Sequence, residues 1–284
     1  MDALKLHGLT KNYADFALDN VSFSLPSGSI LGLIGENGAG KSTTIRLLMN
    51  TIPRDSGEVT VLGVDNRTPQ FYAVKQDIGV VMDEANFPEV LNARQVNQVM
   101  KRTFAHWDEA QYSTYLKKFN LPDKKQFKDF SRGMKMKLAI AVALSHHPKL
   151  LVLDEATGGL DPIARDEILD IFNDFTRSKD HSILMSSHIV SDLEKLCDYI
   201  AFLHQGKLLF CEEKDRLLET YGLVNGTREE LEHLPAGAVQ GGVRISDYGV
   251  EAMVLRDRLP AGVKAEHISI EDIIVFLGRK EHRI

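Results

Sequence analysis

The chain has 284 residues, of which 43% are hydrophobic and 26% charged, a composition typical of soluble globular proteins. The formal net charge of -6 argues against a nucleic-acid partner, because nucleic-acid binders usually carry a basic surface. Its two cysteines are too few for a disulfide framework or a four-cysteine zinc site. No apolar run is long enough to cross a membrane, and MDALKLHGLT lacks the features of a signal peptide, which predicts a cytoplasmic chain.

The first two thirds of the chain alternate between strand and helix patterns. Short strands are predicted at residues 3–6, 17–25, 29–34, 58–62, 150–153 and 182–186, with a hairpin over 199–211. Helices are predicted at 42–50, 134–145 and 162–178, the second of them within a mainly helical stretch at about 86–147. Strands that alternate with helices indicate an α/β fold with a mainly parallel sheet.

The composition changes after residue 220, where glycines become frequent. Strands are predicted at 243–245 and 251–255, and a capped amphipathic helix follows Ser269. These features predict a first domain at 1–220 and a small C-terminal domain at 221–284. Regulation, dimerisation and simple packing all remain open as roles for the small domain.

The sequence GENGAGKS at residues 35–42 matches the phosphate-binding loop pattern G-x-x-x-x-G-K-[ST]. An apolar strand precedes the loop and a helix follows it, which is the context that the pattern requires. Lys41 is predicted to bridge the terminal phosphates of ATP, and the Ser42 hydroxyl to bind Mg²⁺. The predicted nucleotide contacts are Gly35, Glu36, Asn37, Gly38, Ala39, Gly40, Lys41, Ser42 and Thr43.

An apolar strand at residues 150–153 ends in two carboxylates. Ligand sites of parallel sheets lie at the carboxyl ends of the strands, so Asp154 and Glu155 are placed to act on a bound nucleotide. Asp154 is predicted to hold the magnesium ion, and Glu155 to polarise the attacking water. A strand that ends in two acids is by itself a weak signal.

Three further motifs lie on either side of this strand, in a characteristic order. SRGMK at residues 131–135 precedes it, and GGLD at 158–161 and SSH, which ends at His188, come after it. Together with the phosphate loop, they resemble the nucleotide-binding domain of an ATP-binding cassette (ABC) transporter over roughly residues 3 to 215, most similar to bacterial export-type (ABC-2-like) cassettes. The resemblance implies a P-loop NTPase core with an N-terminal antiparallel β-subdomain and a helical signature subdomain, followed here by a small α+β domain.

The resemblance also implies roles for single residues. Tyr13 matches the aromatic residue that stacks on adenine, although a tyrosine at a loop edge is an alternative interpretation. Ser131 and Gly133 match the signature that reaches the γ-phosphate held by the other subunit of a head-to-tail dimer. His188 matches the histidine that contacts the γ-phosphate, and Asp161 the aspartate that joins the two subunits. Lys41, Glu155 and His188 are thus the predicted catalytic residues.

The match departs from the family pattern at two places. The signature reads FSRGM where LSGGQ is the commonest version, so that Arg132 and Met134 replace a glycine and a glutamine. Asp83 stands where the family has a glutamine, and its carboxylate is predicted to bind Mg²⁺ instead. Glu84 is an alternative for this position, and both acids could simply be solvated.

The function predicted from these motifs is that of an ATPase subunit that powers a separate transmembrane permease, with export as the direction. Such a subunit would lie on the inner face of the cell membrane and work as a homodimer or heterodimer of cassettes. The alternative is a soluble cassette ATPase that acts on ribosomes or DNA. The single phosphate loop disfavours the ribosomal relatives, which carry two cassettes, and the short span between Lys41 and Ser131 leaves no room for the coiled coil of the chromosomal relatives.

Overall fold

The computed structural model describes residues 2–84, 87–246 and 249–278. By internal contacts the chain divides into two compact units, Met1–Phe210 and Cys211–Ile284. The division therefore falls earlier than the boundary at residue 220 that the glycine content predicts. Among the described residues, no helix has the length and apolar character needed to cross a membrane.

The N-terminal part of the first unit contains an antiparallel sheet and the first strand of a second sheet. Its elements are β1 (Asp2–Asn12), β2 (Ala17–Pro26), β3 (Ile30–Ile34), α1 (Lys41–Leu48), β4 (Ser56–Val61) and β5 (Val64–Asp65). Strands β2, β1, β4 and β5 pair in that order, with Leu6 opposite Phe23 and Val59. This sheet confirms the predicted N-terminal antiparallel β-subdomain.

A mainly helical segment follows the first sheet. Its elements are α2 (Phe71–Val74), β6 (Ile78–Val81), α3 (Ala93–Thr103), α4 (Glu109–Lys118) and α5 (Arg132–Leu144). The predicted helical stretch begins at Asn86, which lies outside the described residues. Asn92 and Asp108 cap α3 and α4 by accepting backbone hydrogen bonds, so the local sequence sets where these helices begin.

The rest of the first unit completes a parallel sheet. The next elements are β7 (Leu150–Asp154), α6 (Pro162–Phe175), β8 (Ser182–Ser186), α7 (Val190–Leu196), β9 (Tyr199–His204) and β10 (Lys207–Glu213). The six strands take the order β10-β9-β3-β8-β7-β6, and β3, β6, β7, β8 and β9 run parallel. Every residue of β3, β7 and β8 is buried, which explains their continuous apolar sequences.

The second unit is a small α+β domain. It contains α8 (Lys214–Thr220), β11 (Tyr221–Gly226), α9 (Arg228–Glu232), β12 (Val239–Ser246), β13 (Gly249–Leu255) and α10 (Ile270–Gly278). The antiparallel sheet has the order β11-β13-β12. Ser269 accepts a hydrogen bond from the Asp272 amide at 3.0 Å, as expected for a capped terminal helix. The predicted helix also covered residues 279–280, which lie outside the described residues.

Candidate functional site

Three neighbouring parallel strands bring the predicted catalytic segments to one edge of the sheet. Strand β8 lies between β3 and β7, with Ser186 level with Leu33 on one side and with Asp154 on the other. The phosphate loop leaves β3, Glu155 follows β7, and His188 follows β8. Because all three strands point the same way, the three segments emerge at their shared carboxyl edge.

The phosphate loop folds tightly between β3 and α1. Gly40 has a φ of 109°, and a Cβ there would lie only 2.9 Å from Cδ1 of Leu18 and 3.0 Å from Cζ of Phe16. Glycine is therefore required both by the backbone conformation and by the space. The loop residues Glu36, Asn37, Gly38 and Ser42 are exposed, Thr43 is half-buried, and Gly35, Ala39, Gly40 and Lys41 are buried.

Lys41 begins α1 and is 7% exposed, with its ammonium group held by the loop. Its Nζ donates to the carbonyl oxygen of Gly35 at 2.7 Å and to that of Glu36 at 3.3 Å. It also lies 3.7 Å from Oε1 of Glu155. Gly40 has no side chain with which to cap α1, so the amides of the first helical turn remain available for an anion such as a phosphate.

Glu155 connects the lysine to the histidine. Its Oε2 lies 2.6 Å from Nδ1 of His188 and also accepts a hydrogen bond from the His188 amide at 3.2 Å. Glu155 has a φ of 52°, a left-handed conformation that is strained for a residue with a side chain. A bond from its own amide to the Ser186 carbonyl oxygen, at 3.1 Å, helps to hold the turn. The structure thus brings Lys41, Glu155 and His188 into one contact chain.

Asp154, the residue before Glu155, is 2% exposed. Its Oδ1 accepts a hydrogen bond from the Ser186 hydroxyl, which fixes the orientation of a buried carboxylate. Ser42 lies in the first turn of α1, and its side chain is exposed. The hydroxyl and the carboxylate are both oxygen donors, which suits a small hard cation such as Mg²⁺. Within the described ranges, no three side chains of histidine, cysteine, aspartate or glutamate form a ready-made metal cluster.

Two other predicted site residues cap helices. Ser131 is the N-cap of α5, and its Oγ accepts from the Met134 amide at 3.2 Å. Asp161 is the N-cap of α6, and the hydrogen bond from the Ala164 amide holds the pKa of the Asp161 carboxyl below its usual value. Both side chains are exposed, so they keep free surface at a helix N-terminus. Gly133 is half-buried in the first turn of α5.

Tyr13 lies in the turn between β1 and β2 and is 48% exposed. Its ring centroid is 6.4 Å from that of Phe16, whose ring reaches the Cβ position of Gly40. Lys11 places its ammonium group 5.8 Å from the Tyr13 centroid. An exposed aromatic ring therefore lies on a loop that packs beside the phosphate loop.

The structure places Asp83 with the signature. Oδ1 of Asp83 accepts a hydrogen bond from Nη2 of Arg132 at 2.9 Å, and the two side chains are 49% and 65% exposed. Both residues are departures from the family pattern. Glu84 is also exposed. That Asp83 binds Mg²⁺ stays a prediction.

One contributor to the site was missed in the sequence. His204, at the end of β9, places Nδ1 3.3 Å from Oε1 of Glu36 in the phosphate loop. In the next turn, the Gly206 amide donates to the Ala39 carbonyl oxygen at 3.1 Å. The hairpin between β9 and β10 therefore contacts the phosphate loop through both a side chain and the backbone. Its sequence, HQG, predicts a turn but carries no signal of what the turn contacts.

Comparison with known proteins agrees with this arrangement. Residues 18–158 match the family described as ABC transporter. The lantibiotic transport ATP-binding protein SrtF of Streptococcus pyogenes is 37% identical over 75% of this chain and 91% of its own length. The bacitracin transport ATP-binding protein BcrA of Bacillus licheniformis is 35% identical over 72% of this chain and 68% of its own length.

Two further comparisons extend this finding. The uncharacterised ABC transporter ATP-binding protein YhcH of Bacillus subtilis is 29% identical over 99% of this chain and 94% of its own length, so the similarity includes the second unit. A solved structure, titled as the ATP-binding subunit of an ABC transporter, superposes with a TM-score of 0.69 at 27% identity and covers 76% of this chain and 91% of its own.

The chain belongs to the ABC transporter family, in the class of ATP-binding cassettes. It is an ATP-binding and ATP-hydrolysing transporter subunit, and the predicted family, P-loop NTPase fold and ATPase activity are confirmed. Among the proteins that it resembles are cassettes named for lantibiotic transport and for bacitracin transport. The individual roles of the site residues remain predictions.

Proposed function

We propose that this chain powers the export of an amphipathic peptide, of the lantibiotic or bacitracin class, through a separate membrane permease. The observation that supports ATP hydrolysis is the contact chain Lys41–Glu155–His188. It combines a cation suited to phosphate, a carboxylate suited to act as a base, and a histidine that contacts this carboxylate. The cargo class is taken from the names of the relatives. The cassette would lie on the inner face of the cell membrane, where ATP is available.

In the proposed reaction, Lys41 neutralises charge on the terminal phosphates and Glu155 receives a proton from the attacking water. Glu155 suits this role because its side chain is only 14% exposed, which limits competition from solvent. His188 is 59% exposed, and its contact with Oε2 of Glu155 fixes the direction in which the carboxylate points. A positioned general base contributes about 10²- to 10⁴-fold to such a rate.

Magnesium is proposed to be held by the Ser42 hydroxyl and the Asp154 carboxylate. The fit rests on the donor chemistry, since both groups offer oxygen, and on the buried carboxylate already oriented by Ser186. When bound, the ion would neutralise charge on the transferred phosphoryl group. Asp83 is not included in this proposed set, because its carboxylate is paired with Arg132.

We infer that the working form is a dimer of cassettes, with Ser131, Gly133 and Asp161 of one chain completing the nucleotide site of the other. Supporting this, Ser131 and Asp161 are exposed helix caps, and neither takes part in the Lys41–Glu155–His188 chain. The amides at the start of α5 offer an anion-binding group to a partner's γ-phosphate. Whether the second cassette is a copy of this chain or a similar one is left to the experiment.

We further propose that the helical segment between β6 and β7 docks the permease, and that residues 211–284 form an accessory domain. All the proposed catalytic and nucleotide-contacting residues precede residue 211, so the second unit is expected to supply no chemistry. The adenine contact is assigned to Tyr13, because its exposed ring lies beside the phosphate loop.

The test is reconstitution with a multi-span membrane protein, sought first in the neighbouring reading frames. We expect the two to co-purify, ATPase activity to rise in proteoliposomes, and cells that express both to tolerate more bacitracin or lantibiotic. The matched control is Glu155→Gln, which should co-purify but give neither turnover nor protection. Failure of the two proteins to co-purify from membranes of cells that express both would reject the permease, and protection by the Glu155→Gln variant would reject ATP-driven export.

A further inference from the structure

Two of the residues that depart from the family pattern, Arg132 in the signature and Asp83, contact each other. Arg132 and Asp83 are 49 positions apart in the sequence, yet their side chains form an ion pair with Nη2 and Oδ1 at 2.9 Å. Arg132 is the first residue of α5, where a cation opposes the positive end of the helix dipole. A carboxylate at this place offsets that unfavourable charge, so each departure compensates for the other.

Arg132 also covers the glycines that precede Asp161. A Cβ on Gly159 would lie 2.9 Å from Cδ of Arg132, and one on Gly158 would lie 3.8 Å from its Nη2. Gly159 has a φ of 74°, so the chain turns sharply directly beneath the arginine. One side chain therefore contacts the segment after β6 and the segment after β7, while its own backbone begins the signature helix.

The C-terminal end of α5 contacts β6, the strand that precedes Asp83. His146 follows α5 and is buried, with Nε2 3.2 Å from the carbonyl oxygen of Ile78 in β6. Asp83 lies two residues after the end of that strand. Helix α5 is thus attached to β6 at one end through a buried histidine and, at the end that carries Ser131, through the exposed Arg132–Asp83 pair.

We propose that Arg132 is a positioning residue, whose ion pair with Asp83 sets the placement of Ser131 relative to the segment before Asp161. In this role Asp83 is the partner of Arg132 and does not ligate magnesium. Both side chains are about half exposed or more, and exposed ion pairs contribute little to stability. The pair is therefore expected to affect the KM for ATP more than stability. This expectation rests on the proposed function, in which Ser131 contacts the nucleotide held by the partner cassette.

The experiment is a double-mutant cycle on the full-length chain with Asp83→Asn and Arg132→Gln. Each single variant is expected to raise the KM for ATP about fivefold with kcat within twofold of the original, because Lys41, Glu155 and His188 are untouched. The double variant should be no worse than either single variant. The charge swap Asp83→Lys with Arg132→Glu should restore most of the KM, and it also places an acid at the helix start.

The control pair is Asp174 and Arg177, whose side chains are exposed and 2.9 Å apart. Asp174→Asn and Arg177→Gln should leave the KM unchanged, and melting temperatures should differ little across all variants. Additive effects in the cycle, a swap that fails to restore the KM, or an equal shift in the control pair would overturn the proposal.

The magnesium requirement gives a second, independent measurement. If Asp83 pairs only with Arg132, the Mg²⁺ concentration for half-maximal activity should be the same for Asp83→Asn as for the original chain. A raised requirement that persists in the Arg132→Gln background would show that Asp83 is a ligand and would overturn the proposal. An original chain that hydrolyses no ATP would contradict the ATPase assignment itself, which distinguishes the two failures.

Discussion

Replacing Glu155 by glutamine tests the centre of the proposed mechanism. The substitution keeps the shape of the side chain and removes its negative charge and its capacity to accept a proton. In the structure this carboxylate lies 3.7 Å from Nζ of Lys41 and 2.6 Å from Nδ1 of His188. If Glu155 is the general base, kcat should fall by about 10²- to 10⁴-fold.

The same substitution should not weaken ATP binding. Two unit charges about 4 Å apart attract by about 4 kcal/mol at an effective dielectric constant of 20, so Glu155 competes with phosphate for Lys41. A neutral amide removes most of that competition. The dissociation constant for ATP is therefore expected to stay the same or decrease, and the ATP-bound dimer should accumulate because it no longer turns over.

Three measurements separate these effects. Phosphate release at saturating ATP reports kcat, titration calorimetry reports the dissociation constant, and light scattering with ATP reports dimer formation. Glu167→Gln, an exposed glutamate of α6, is the matched control and should behave like the original chain. Turnover of Glu155→Gln above about a tenth of the original, well outside the range of a lost general base, would remove Glu155 from the catalytic role.

Three other substitutions test separate parts of the site. Lys41→Ala should weaken ATP binding by about tenfold or more, since a charge-assisted phosphate contact is lost, and unchanged affinity by calorimetry would contradict the loop assignment. Ser131→Ala should lower the free energy of unfolding by about 1 kcal/mol and reduce ATPase activity, whereas Ser131→Asp should keep the helix cap yet repel the γ-phosphate. A Ser131→Asp variant with full activity would exclude phosphate capture by this residue. Burial lowers the pKa of His146, so the folded protein takes up this proton less readily than the unfolded chain. The stability that neutral, buried His146 contributes is therefore complete above about pH 6.5 and is lost as the pH falls. The free energy of unfolding, measured with urea, should fall less between pH 7.5 and pH 5.5 in His146→Gln than in the original chain, and an equal fall in both would refute this.

Buried strands of the parallel sheet were the elements most accurately predicted. Strand β8 occupies the predicted residues 182–186, because a continuous apolar run between polar ends admits few registers. Strand β1 extends well beyond the predicted residues 3–6. Its later residues pair with the neighbouring strand β2 and with β4, which is remote in sequence, and this pairing is not visible in the local sequence of β1.

The C-terminal unit shows more clearly that local sequence does not reveal strand pairing. Strand β11 runs from Tyr221 to Gly226, where two glycines had predicted irregular chain at the start of the second domain. All six of its residues pair with β13, from Tyr221 opposite Leu255 to Gly226 opposite Val250. Tertiary pairing has therefore overridden the local preference of these glycines for turns. The division between the units falls earlier, after Phe210, and α8 contacts β11 and α10 of the second unit.

Motif spacing predicted which residues would form the site, but it did not predict their partners. Lys41, Glu155 and His188 come together because parallel strands deliver them to one edge, and the order of motifs contains that information. The contact between Asp83 and Arg132 joins two loops whose relative placement depends on the packing of α5. No local pattern encodes such a contact, so the sequence indicated two separate departures and no relation between them.

The polar side chains of the proposed site contact one another. Lys41 faces Glu155, Glu155 faces His188, and Asp154 accepts a hydrogen bond from the Ser186 hydroxyl. ATP binding must therefore exchange these contacts for phosphate contacts, and only the difference between the two sets contributes to affinity. Under the proposed mechanism, a γ-phosphate would displace both Lys41 and His188 from Glu155 and so free the carboxylate for water. A nucleoside diphosphate lacks the group that would reach them, so in this proposal the exchange that activates the base also distinguishes ATP from its product.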